Sequence, residues 1–118
     1  MTPAKSKYKP EYHKRRQYKL DKFRTWVRLS PDELKTVAEA FSKKLNQARG
    51  PVKVLIPLQG WSGADCPGNP TYDPEEDQVF TRALRETLNP GIEILEVDAN
   101  MEDAKFTNAI TEASMEIF

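Results

Sequence analysis

Val52-Lys53-Val54-Leu55-Ile56-Pro57, followed by Leu58-Gln59-Gly60-Trp61-Ser62-Gly63-Ala64-Asp65-Cys66-Pro67-Gly68-Asn69-Pro70-Thr71-Tyr72, is the stretch whose reading decides the fold. The first six residues are a nearly continuous apolar run, the pattern of a strand buried on both faces of a parallel sheet. The next fifteen carry no periodicity of either kind. Asp73-Pro74-Glu75-Glu76 then opens a helix, with a capping side chain, proline in the first turn and acids at the positive end of the dipole. Strand, irregular loop and helix in that order describe one arm of an open α/β sheet.

Outward from this unit the same alternation continues. Upstream, Thr25-Trp26-Val27-Arg28-Leu29 predicts a short strand. Ser30-Pro31-Asp32-Glu33 predicts a capped helix start, with Glu33 reaching back to the cap. Leu34, Val37, Ala38, Phe41, Leu45 and Ala48 place one apolar face on that helix, which Gly50-Pro51 ends. Downstream, Val79, Phe80, Ala83, Leu84 and Leu88 give the second helix its inner face, and Asn89-Pro90-Gly91 breaks it. Ile92-Glu93-Ile94-Leu95-Glu96-Val97 predicts a third strand. Asp103 caps a last helix that turns Phe106, Ala109, Ile110, Ala113 and Ile117 inward. The order β-α-β-α-β-α predicts a three-layer α/β fold, a short parallel sheet flanked by helices, over residues 25–118. Three strands leave exposed edges. Either the basic arm adds a strand or another chain completes the sheet, and partner completion is the favoured expectation.

The chain has 118 residues, and its 38 % hydrophobic content supports one modest core. It carries 18 basic and 18 acidic residues, yet residues 1–50 hold 14 Lys/Arg against 5 Asp/Glu and residues 51–118 hold 4 against 13. Poles of +9 and −9 point to self-association or docking on a polar surface rather than to a uniformly basic nucleic-acid binder. Residues 1–24 read as a basic, extended arm or linker in which lysines and arginines mix irregularly with Tyr8, Tyr12, Tyr18 and Phe23. That mixture is also found in single-stranded RNA binders, but no RNA-binding motif accompanies it, and a docking or solvated tail is the preferred reading. No apolar run reaches membrane-helix length and no signal-peptide core is present, so a cytoplasmic protein is expected. One cysteine, Cys66, makes neither an intramolecular disulfide nor a zinc site, and no metal site is expected. The single histidine, His13, lies in the arm, a poor inventory for nucleophilic catalysis.

The loop after the strongest strand is where ligands bind in open α/β sheets. Gly60, Gly63 and Gly68 allow backbone amides to approach a ligand, and Ser62 offers a hydroxyl donor. Trp61 lines a pocket or stacks on a base, Asp65 serves a hydroxyl or Mg²⁺, and Asp98 joins the rim from the next strand. These seven are the candidate ligand-binding residues. No Walker-type or dinucleotide glycine motif is present, and the acidic first turn after Pro74 repels a phosphate. Gly60-Trp61-Ser62-Gly63-Ala64 approaches a nucleophile elbow, but no helix follows the serine directly and no histidine lies downstream. Against the ligand reading, Asp73 is a structural cap, Trp61 can simply cover the end of the sheet, and the prolines can merely stiffen an interface. Composition and motif name no reaction.

Gly50-Pro51-Val52, Pro57-Leu58-x-Gly60-x-Ser62-x-x-Asp65-x-Pro67-Gly68-x-Pro70-x-Tyr72-Asp73-Pro74-x-x-Asp77, Glu96-Val97-Asp98-Ala99 and Asp103-x-x-Phe106 together resemble a known family. It is the ATP-binding domain family typified by a plant tomato-mosaic-virus resistance protein, with bacterial and archaeal relatives of no established reaction. The resemblance covers residues 25–118 and is to the C-terminal part of the domain. It implies a larger protein of two α/β subdomains, of which this chain supplies the last portion, as a separately encoded subunit or as a piece. It also implies ATP with Mg²⁺ as the ligand. Three departures stand out: Thr71 in place of Phe, Asn100 in place of a His after Asp-Ala, and Ala104 in place of Pro. Loss of the histidine argues against a catalytic rim. The sequence thus supports a segment contributing a Gly/Pro-rich loop to a nucleotide or phosphate-ester site. The alternative is a non-catalytic module docking on a separate α/β chain or on its own copy.

Overall fold

A computed structural model describes residues 9–118. A 3-10 turn at Pro10–Lys14 leads into β1 (Gln17–Lys19) and β2 (Thr25–Val27), followed by α1 (Pro31–Leu45), β3 (Lys53–Pro57), α2 (Pro74–Thr87), β4 (Glu93–Val97) and α3 (Ala104–Ile117). The class is α/β, with three helices, a short parallel sheet and a separate antiparallel pair.

The parallel sheet is β3–β4, in register Lys53↔Glu93 through Pro57↔Val97. The strand read at residues 25–29 does not join it. Its ordered part, β2, pairs antiparallel with β1, with Tyr18 opposite Trp26 and their rings stacked at 5.8 Å. The reason is local. Asp21 builds the turn, its Oδ1 accepting from the amides of Phe23 (2.9 Å) and Arg24 (2.7 Å). A cross-strand aromatic pair then holds the ribbon. At its end Arg28 leaves the strand to meet carboxylates elsewhere. The earliest arm residues, Lys5, Lys7 and Tyr8 among them, lie outside the described residues.

The helix starts follow their sequence signals. Ser30 accepts from the Glu33 amide at 3.3 Å and Asp73 from the Glu76 amide at 3.0 Å. Glu33 is held by Arg15, which lowers its pKa. Asp103 stands at the cap position of α3 but makes no side-chain bond to that helix. Its Oδ2 accepts from the Asn100 amide at 2.8 Å.

The core is small. Ala38 of α1, Ile56 of β3, and Leu84 and Leu88 at α2 form its centre, flanked by Val54, Phe80 and Ile94. Both α1 and α2 therefore cover one face of the sheet. A polar clamp ties their far ends, with Ser42 Oγ 2.5 Å from Thr87 Oγ1 and Asn46 Nδ2 donating to the Thr87 carbonyl. On the other face Lys53 meets Glu116 of α3. Two expectations fail here. Val54 and Leu55, read as doubly buried, are only half-buried. Phe41, read as core, is 51 % exposed.

Leu84, 1 % exposed at the centre of the cluster, is the core's most sensitive position. Leu84→Ala should cost about 2–5 kcal/mol in denaturant unfolding, the range for a truncated buried leucine. Met115→Ala, on the bare side of α3, should stay within about 0.5 kcal/mol.

Candidate functional site

The loop from Leu58 to Asp73 leaves the C-terminal end of β3 and first extends the sheet. The Leu58 amide donates to the Val97 carbonyl (2.8 Å), that of Gln59 to Ala99 (3.0 Å), and that of Met101 to Gly60 (3.0 Å). Gly60 then turns the chain with φ +100°, and a Cβ there would lie 1.7 Å from the Asp65 carbonyl oxygen. Only glycine fits that approach.

The turn that follows is closed by its own side chains. Ser62 Oγ accepts from the amides of Ala64 (3.2 Å) and Asp65 (3.1 Å). Asp65 Oδ2 accepts from the Trp61 amide at 3.1 Å. Asn100, reaching across from the end of β4, donates through Nδ2 to the carbonyls of Gln59 (3.0 Å), Ser62 (3.0 Å) and Asp65 (3.1 Å). Thr71 Oγ1 donates to the Ala64 carbonyl at 2.7 Å. Two of the three departures from the family pattern, Thr71 and Asn100, are thus buried loop-holding groups.

Trp61, Ser62 and Asp65 line one cavity of about 180 Å³ with Trp26, Leu34 and Thr71. Trp61 also meets Phe80 edge to face at 5.1 Å. Gly60 and Gly63 lie in the same turn, Gly60 buried and Gly63 exposed. Asp98 is exposed at the rim, its Oδ1 accepting from Gln59 Nε2 at 2.7 Å. Gly68, with φ +95°, stands apart in open space farther along the loop. Cys66 Sγ is 3.2 Å from the Gly63 carbonyl, a contact internal to the turn. Among the described residues no group of three or more His, Cys, Asp or Glu is placed to hold a metal ion.

Beneath this turn lies a cluster that the sequence reading missed. Arg28 donates from Nε to Glu76 Oε2 (2.6 Å), from Nη1 to Asp65 Oδ1 (3.3 Å) and the Thr71 carbonyl (2.8 Å), and from Nη2 to the Asp73 carbonyl (3.1 Å) and Asp77 Oδ1 (2.5 Å). Burial opposes its charge, but the bonds to Asp77 and Glu76 raise its pKa on balance. Arg16 adds a contact to Asp73. Asp73 is held below its ordinary pKa by the Glu76 amide and then by Arg16. Asp77 is 6 % exposed, and its Oδ2 is buried without a hydrogen-bond partner among the described residues. Burial, and then the Asp65 carboxyl beside it, push Asp77 up to about 7. A signal was present: Asp77 shares the inner face of α2 with Phe80, Thr81 and Leu84, and a carboxylate there needs a buried partner.

Arg28→Ala leaves buried carboxylates without their cation and should cost about 3–5 kcal/mol in denaturant unfolding. Arg28→Lys should not restore it, because an ammonium lacks the planar fork. The folded chain holds a proton on Asp77 at pH values where the unfolded chain, with the ordinary 3.8, has lost it. That stabilisation is complete below 3.8 and is lost as pH rises through about 7. Asp77→Asn should therefore remove a decline in melting temperature across this window, leaving the acid-side loss from Asp73 and Glu33 in place. Superimposable pH profiles for the two proteins would refute this.

Residues 1–118 match the C-terminal domain of the uncharacterised protein family UPF0261. A UPF0261 protein of Clostridium tetani is 33 % identical over 101 residues, covering 85 % of this chain and 25 % of the relative. The ToMV resistance protein Tm-1(GCR237) of Solanum lycopersicum is 32 % identical over 110 residues, covering 92 % of this chain and 15 % of the relative. A Rhizobium meliloti UPF0261 protein is 33 % identical over 97 residues, or 79 % of this chain and 24 % of the relative. The chain thus spans a quarter or less of the length of these curated relatives. By the match along its whole length, the chain belongs to the UPF0261 family as its C-terminal domain.

Proposed function

We propose that this domain contributes the loop of residues 58–73 to a nucleotide or phosphate-ester site in a larger UPF0261-type protein. The observation that carries the reading is the state of the donors at the rim. The Ser62 and Gly63 amides make no hydrogen bond among the described residues. The Ser62 hydroxyl accepts two amides and keeps its own proton to donate. The turn that presents them is pinned by Asn100, so they are oriented before a ligand arrives.

The same geometry divides the roles of the candidate residues. Gly60 is the hinge of the turn, with φ +100°. Asp65, with one oxygen on Arg28 and the other on the Trp61 amide, shapes the turn. Asp98 is the exposed carboxylate at the rim and the better placed to meet a ribose hydroxyl or a magnesium-bound water. Trp61 supplies an apolar wall, and Gly68 belongs to the outer loop. ATP with Mg²⁺ is the ligand implied by the sequence resemblance, Mg²⁺ arriving on the phosphates rather than in a protein cage. No group at the rim is arranged as a nucleophile with its base, so the proposal is binding rather than a named reaction. We place the protein in the cytoplasm, where the lone Cys66 thiol would stay reduced. A second reading, a non-catalytic module assembling with another α/β chain, is supported by the half-buried β3 with its unpaired edge.

Thermal melts with and without millimolar Mg-ATP test the ligand reading. A ligand at about 100 times its Kd adds about 2.7 kcal/mol, several degrees for a domain of this size. Ser62→Ala should reduce that shift while the protein still melts cooperatively. A melt that neither Mg-ATP nor inorganic phosphate moves would remove the site from this domain.

A further inference from the structure

We propose that the unpaired edge of β3, together with the bare Val37–Phe41–Leu45 face of α1, receives an apolar β-strand from the portion of a UPF0261-type protein that precedes this domain. The inference rests on the second reading, in which the domain is one part of a larger α/β assembly, and names the surface and its occupant.

Topology points to the vacancy. Both α1 and α2 cover the same face of β3–β4. Right-handed crossovers through helices on one face move strand by strand in a single direction. The unit β3–α2–β4 sets that direction, so the strand leading into α1 belongs on the opposite edge of β3 from β4. In this chain the segment leading into α1 is β2, which is committed to β1 and to the Arg28 cluster instead. Among the described residues, the place beside β3 is left without a strand.

The chemistry of that place is apolar. A groove of about 480 Å³ runs along the whole of β3, walled by Phe41, Leu45, Val54, Phe80 and Met101. Val37, Phe41 and Leu45 continue it over the outer side of α1 in a second depression of about 440 Å³. A charged ligand gains nothing there, whereas a β-strand supplies both backbone pairing for the edge and side chains for the groove. The relatives supply the occupant: the matched stretch is only 25 % of the Clostridium tetani protein, and the family places this domain at the C-terminal end. Most of such a polypeptide therefore lies before the domain.

Hydrogen exchange on the full chain provides the test, the probe being the separately expressed portion of the Clostridium tetani protein that lies before the matched stretch. The two should associate, and amides 53–57 should exchange more slowly in the complex while those of α3 do not change. Phe41→Glu, at a position already half exposed, should melt like the parent chain and weaken association about tenfold or more. Ser62→Ala should associate normally, which separates failure here from failure of the ligand reading. No association, a complex that leaves amides 53–57 unprotected, or equal affinity in Phe41→Glu would overturn the proposal. Self-association that protects the same amides would overturn it too, assigning the edge to a second copy.

Discussion

One guanidinium organises the loop end of this domain. Arg28 uses all five of its N–H donors, on three carboxylates and two main-chain carbonyls. Those acceptors come from the middle of the loop, from its end and from the first turn of α2. Each is tied to the end of β2 through this one side chain. Three carboxylates around one cation would repel one another if all were ionised. The proton favoured on Asp77 by burial and by the Asp65 carboxyl beside it resolves this. A buried cluster of this kind adds little net stability compared with apolar packing of the same volume. What it supplies is registry: the loop can sit in one place only.

Much of the fold was legible in local signals. Ser30 and Asp73 cap helices because the sequence provides an acceptor, a proline and acids in one short window, all of it local chemistry. The parallel strands were legible for the same reason, as apolar runs between breakers. What a local pattern cannot give is the partner of a strand. Thr25–Val27 has β-forming residues whether it joins β3 or β1, and the choice depends on the turn at Asp21 and on Tyr18 meeting Trp26. The site divides along the same line. The loop and its glycines stood out by composition. Arg28 did not, because a lone arginine at the end of a strand is ordinary until its acceptors, more than thirty-five residues away in sequence, are known. Asn100 read as a missing histidine, yet it is the residue that holds the turn together.

The opposite charges of the two halves also acquire a different meaning. Arg16 and Arg28 of the basic half meet Asp65, Asp73, Glu76 and Asp77 of the acidic half. Arg15 closes on Glu33 nearby. Part of the +9 and −9 asymmetry is therefore consumed in drawing the N-terminal ribbon onto the loop and α2. Fewer of these charges remain for an outside partner than composition suggests. The surface that lacks a partner is apolar, along β3 and α1, and association is better argued from that face than from the poles.

The loop and the bare edge are not independent features. Trp61, Leu29 and Leu34 line both the small cavity at the loop and the long groove beside β3. In open α/β sheets the ligand crevice lies beyond the carboxyl ends of neighbouring strands, between the loops that leave them. Here β3 contributes its loop and β4 contributes Asp98 and Asn100, which form one wall and a floor. Among the described residues, the side of β3 away from β4 has no strand and hence no loop to form the opposite wall. A strand added there would cover Phe41, pack toward Trp61 and carry its own loop to the rim. On the two proposals together, binding and assembly would be successive steps: the preceding portion of a UPF0261-type protein would complete the sheet, and the completed sheet would close a crevice over the Gly60–Asp65 turn.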